Sequence, residues 1–143
     1  MNDLADFLAE IRLIYQSEGM QPGVLKKIIY GPRWLMVLAT AGQWGIAFNF
    51  TGEHEVHGRQ DASLLLNWQA YVGRDLFTLA EALCQHEELI LRSFCLAVLN
   101  ALSRPFCLLD ACTARGLKVK EANHDFHFLQ PGEKAVIVGY GGL

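Results

Sequence analysis

Cysteine and histidine are the residue types in this chain best suited to holding a metal. Cys107-x4-Cys112 and His124-x2-His127 are separated by eleven residues, a loose two-cysteine, two-histidine arrangement. Thiolate and imidazole are zinc ligands, and four of them close a tetrahedral site. The spacing argues against closure here. Cysteines at i and i+5 do not share a helix face, and His124 and His127 would point to opposite sides of a strand. Two buried cysteines and two surface histidines are the simpler reading. A second set, Glu53, His54, Glu55, His57 and Asp61, occupies the most polar stretch of the chain, Thr51–Ser63. Carboxylates and imidazoles on a loop can hold a transition metal weakly, which makes His54 and His57 the metal candidates. Solvated loop side chains are the competing reading.

A third group lies on the stretch Glu87–Arg104, around which the rest of the chain is organised. Leu89, Ile90, Leu91, Phe94, Leu96, Ala97, Val98, Leu99, Ala101 and Leu102 cover most of the circumference of a helix. A helix apolar nearly all round is a buried one. Arg92, Asn100 and Ser103 recur along one line of it, with Ser93 and Arg104 beside them. Buried polar groups cost free energy unless they find partners. This seam therefore faces a polar neighbour in the fold, a second domain or a ligand. Arg92, Ser93 and Asn100 are the ligand-binding candidates, because an arginine fork with neighbouring donors suits an anion or a carboxylate. The alternative is internal: loop caps, or an ion pair between Arg92 and Glu88. Nucleophilic catalysis has little support, since the chain holds no G-x-S-x-G elbow.

The elements that must position these residues follow from the whole chain. Its 143 residues suffice for one domain with a proper core. Apolar residues make up 52% and charged residues 19%, which argues against disorder and towards a protein that hides more surface than a monomer of its size can. Net charge is −3 with no basic cluster, so no nucleic-acid partner is expected. Apolar runs are broken by Arg92, Asn100 and Arg104, so no membrane span is expected either. The acidic N-terminus differs from a secretory signal. A cytoplasmic protein follows, in which Cys84, Cys95, Cys107 and Cys112 are thiols rather than disulfides.

In order, Asp3–Ser17 reads as an amphipathic helix with Leu4, Phe7, Leu8, Ile11, Ile14 and Tyr15 on one face and Gly19 as its stop. Val24–Tyr30, Trp34–Thr40 and Trp44–Phe50 read as strands joined by turns at Gly31-Pro32 and Ala41-Gly42-Gln43, with Trp44, Ile46, Phe48 and Phe50 alternating. Such a meander is half-buried, and the helices that follow are its cover. Asp75 or Thr78 opens the next helix, Thr78-x-x-Glu81 fits a capping box, and that helix buries Leu79, Ala82 and Leu83. Pro105 is expected to end the central helix. Phe106–Arg115 reads as a further helical turn or two. The last residues, PGEKAVIVGYGGL, read as a turn, a β-type run and a glycine-rich tail. They look like the opening of a dinucleotide-binding domain that lacks the helix its phosphate site requires.

Three pieces in this order carry a resemblance: G-P-x-W with the hairpin Gly31–Ile46 ending in W-G-I-A, R-S-x-x-x-A-x-x-N-A at Arg92–Ala101, and P-G-E-K-A-V-I-V-G-Y at Pro131–Tyr140. The chain resembles the putative heavy-metal chelation family, prokaryotic proteins of unknown function that join a domain shaped like the N-terminal domain of enolase to a C-terminal Rossmann-like domain. The resemblance implies an α+β fold: an N-terminal helix, a three-stranded antiparallel meander, then helices packed on the sheet. It implies an enolase N-terminal-like domain over residues 1–130 and the first strand of a truncated Rossmann-like domain over residues 131–143. It implies a binding module, half of a two-domain protein that binds a metal or small ligand at the cleft with a Rossmann-like partner. The alternatives are the non-catalytic half of an enzyme completed by that partner, or a truncated domain that associates with itself as a homo-oligomer.

Overall fold

Apolar spacing of three and four residues places Leu8, Ile11 and Tyr15 on one stripe of the first helix, and all three are buried in the computed structural model of the chain. The structure describes residues 3–31, 33–49, 67–118 and 131–132. Helix α1 (Asp3–Ser17) has the expected bounds, with a narrower buried face: Phe7 is exposed and Ile14 half-buried. Its end is closed by Gly19 at φ +63°, where the Met20 amide donates back to the Tyr15 carbonyl at 2.9 Å.

Strands β1 (Leu25–Tyr30), β2 (Trp34–Ala39) and β3 (Trp44–Phe48) form an antiparallel sheet in the order β1-β2-β3. Ile28 pairs with Val37, and Val37 with Gly45. The β2–β3 turn is a single 3-10 turn, Thr40–Gly42, carrying Ala41 at φ 57° and Gly42 at φ 69°. Helices α2 (Leu76–Cys84), α3 (Leu89–Cys107) and α4 (Leu109–Ala114) follow, preceded by a 3-10 turn at Trp68–Ala70. The fold is α+β as expected.

Three local expectations are corrected. Asp75, not Thr78, caps α2: its Oδ1 accepts from the Thr78 amide at 2.9 Å, so Thr78 lies inside the helix and forms no capping box. Ala82 is exposed, and Ala80 takes the buried position with Leu76, Leu79, Leu83 and Cys84. Pro105 does not end α3, which continues to Cys107. A proline removes one donor and fixes φ near a helical value, and the last turn is held by Phe106, whose ring meets Tyr15 edge-on at 5.4 Å. The extra turn makes α3 long and apolar enough, by length and composition, to cross a membrane; half of that window is buried inside the fold.

The sheet turns its small residues to the helices. Leu35, Val37, Ala39, Gly45, Ala47 and Asn49 are buried on that face. A side chain at Gly45 would run into the Ala97 carbonyl and the Ala101 amide, so α3 lies directly on the β3 backbone. The alternating large residues of β3 therefore point the other way. That second face carries Ile29, Trp34 and Ile46, exposed at 43%, 52% and 40%, with Met36, Leu38, Trp44 and Phe48 half-buried among them.

Candidate functional site

The polar seam of α3 meets the outer edge of β3. Asn100 Nδ2 donates to the Ile46 carbonyl at 2.8 Å, and the Arg104 guanidinium stands 3.7 Å from the centre of the Trp44 ring. Among the described residues β3 is an edge strand, and edge carbonyls need partners; Asn100 supplies one. Ser93 and Ser103 donate to the Leu89 and Leu99 carbonyls one turn back, at 2.9 and 2.8 Å. Arg92, half-buried, lies one turn before Cys95 on the same helix. Among the described residues it makes no ion pair with Glu88; only its backbone amide meets the Glu88 carbonyl, at 2.9 Å. Arg92, Ser93 and Asn100 thus share α3, but Ser93 is buried, whereas Asn100 is exposed at the strand edge.

At the end of β3, Asn49 is wholly buried. Its Nδ2 donates to the Gly31 carbonyl at 3.1 Å, and its Oδ1 has no partner among the described residues. The Trp68 Nε1 is in the same condition, with its ring stacked edge-on against Phe94 at 5.3 Å and tilted on Tyr30 at 5.9 Å. An open groove of about 480 Å³ lies elsewhere, between α1, the turn at residues 19–22 and α2. The Arg12–Glu81 ion pair, 2.6 Å and exposed, crosses it, and Arg12 also covers Phe77. Both carboxylates in that lining are already engaged, Asp75 as the cap of α2 and Glu81 with Arg12.

The cysteines divide into two pairs. Cys107, exposed, ends α3, and Cys112, half-buried on α4, donates to the Phe106 carbonyl at 3.3 Å. Neither joins a cluster of three metal-ligating side chains among the described residues. His124 and His127, like His54 and His57, lie outside the described residues. Cys84 and Cys95 are in direct contact. Their sulfurs are 3.1 Å apart and hydrogen-bonded, both are buried, and neither is in a disulfide. Burial first, and then the neighbouring Cys84, push the Cys95 thiol far above its ordinary value, while the Arg92 charge acts in the opposite sense. The sequence reading missed this pairing. The two residues stand on different helices with ten residues between them, and only their shared burial on facing stripes could have signalled it.

Comparison with protein families matches residues 15–103 to the model described as putative heavy-metal chelation. No curated protein and no solved structure matches the chain.

Proposed function

Because the chain belongs to the putative heavy-metal chelation family, we propose that it is a binding module that holds a transition metal or small ligand where a Rossmann-like domain docks on the outer face of its sheet. The observation that carries this reading is the apolar sheet face of Ile29, Trp34, Met36, Leu38 and Ile46, opposite the face that packs on α3, with Arg104 of α3 covering the Trp44 ring at its edge. A contiguous apolar face of this kind marks an interaction surface. The proposed occupant is an α/β domain, because the β-type run Ala135–Val138 and the glycines after it resemble the first strand and phosphate-side turn of such a domain. His54 and His57 are the proposed metal contacts. Arg92 is the proposed anion contact, with Ser93 and Asn100 fixing the helix that carries it.

Elemental analysis paired with mass in solution tests this. The chain is mixed with the separately expressed Rossmann-like domain of a two-domain family member and loaded with nickel or zinc. A mixed complex holding stoichiometric metal, lost in the His54→Ala, His57→Ala double variant, is the expected result. No complex and no retained metal would refute the reading. A metal-loaded complex that survives the double variant would move the metal contacts off this loop and leave the docking face standing.

A further inference from the structure

We infer that Cys84 and Cys95 form a second, separate metal site, a buried two-thiolate clamp for a soft cation that is content with two ligands, monovalent copper foremost. It stands on α2 and α3 alone and does not depend on the docking face.

The donor set selects the ion. The sulfurs, 3.1 Å apart, share a thiol–thiol hydrogen bond, so the fold sets two soft donors side by side in an apolar core. Among the described residues no third cysteine, histidine, aspartate or glutamate joins them in a metal-holding group. Zinc closes a structural site with four ligands, and nickel, cobalt and iron also take more than two. Thiolates select monovalent copper, which accepts two sulfurs in a line. Mercury(II) has the same preference. The other polar atom near Cys95 Sγ is the Ala80 carbonyl oxygen at 3.8 Å, a hard donor that adds nothing for copper.

Binding balances without an oxidant. Each thiol loses its proton to water as a copper–sulfur bond forms, and no electron moves. The product carries one negative charge, and Arg92, three residues before Cys95 on the same face of α3, carries the compensating positive charge. Two metal–sulfur bonds of about 2.3 Å end to end need sulfurs roughly 4.6 Å apart, so the pair must open. Cys84 has the freedom to do so. It is the last residue of α2 and is followed by the exposed connection Gln85–Glu88, where a helix end frays at least cost.

The test is an anaerobic titration of the reduced protein with monovalent copper held by a chromophoric chelator. Copper transfer is read by absorbance, and alkylation of each cysteine by mass spectrometry. The wild type and a Cys107→Ser, Cys112→Ser variant are expected to take one equivalent and to shield Cys84 and Cys95 from alkylation. Cys84→Ser, Cys95→Ser and the corresponding alanine variants, checked for folding by circular dichroism, are expected to take none. Full uptake by folded Cys84 and Cys95 variants would overturn the site. So would a wild type that takes no copper, including one whose mass is lower by two hydrogens because the pair has closed into a disulfide. Loss of copper binding here leaves the docking reading untouched, and loss of docking leaves this site untouched.

Discussion

Tyr15 shows how a single side chain ties four segments together. Its hydroxyl donates to the Leu102 carbonyl at 2.9 Å and accepts from Gln43 Nε2 at 2.6 Å, while Gln43 Oε1 accepts from the Gly23 amide at 2.7 Å. Tyr15→Phe strands Gln43 and the Leu102 carbonyl in the core. The expected loss is about 1–3 kcal/mol, read from the urea midpoint. Burial raises the Tyr15 phenol above its ordinary value, with the Gln43 bond opposing. The unfolded phenol ionises at about pH 10 while the folded one stays neutral, so this contribution is complete below pH 10 and declines as pH rises beyond it. The wild type is expected to lose stability more steeply than Tyr15→Phe between neutral and strongly alkaline pH. Gly45→Ala is expected to cost about 3 kcal/mol or more, since the added carbon meets α3 backbone that cannot move aside; a depressed thermal midpoint checks it. At this scale the sequence was uneven. Asp75 was readable as a cap because the cue is local. Asn100 and Arg104 were readable as a seam, but their partners Ile46 and Trp44 lie more than fifty residues away.

The elements were legible where periodicity and punctuation agree. Both ends of α1 follow from its apolar stripe and Gly19, and the three strands follow from β-rich runs between turns. Two features were not. Alternation in Trp44–Phe48 says that the large residues share a face, but not whether that face meets the helices. The answer lay in Gly45 and Ala47, whose small size lets α3 approach. Pro105 reads as a stop because local chemistry favours one, and the packing of Phe106 on Tyr15 outweighs it. The β2–β3 turn offers a direct check on local strain. Ala41 occupies the left-handed region at φ 57°, which costs a residue with a side chain roughly 1–2 kcal/mol. After the greater chain entropy of glycine is set against that, Ala41→Gly is expected to raise stability by about 0.5–1 kcal/mol, seen as a higher urea midpoint.

At the scale of the whole molecule, the described residues form a one-sided sandwich: helices on the small-residue face of a sheet, and a second face on which Ile29, Trp34 and Ile46 are exposed. The candidate metal residues were only partly legible. His54 and His57 stand out by residue type alone, while the Cys84–Cys95 contact exists only once α2 and α3 pack. Replacing Ile46, 40% exposed on the open face, by lysine removes apolar area from a docking surface without touching the core. Ile46→Lys is expected to fold with a thermal midpoint close to that of the wild type. The most direct test of the account is a calorimetric titration of this chain, wild type and Ile46→Lys, with the proposed Rossmann-like partner domain, separately expressed. Saturable binding by the wild type with a negative heat-capacity change, and none by the folded variant, is the expected result; no heat from the wild type, or equal binding by both, would contradict it.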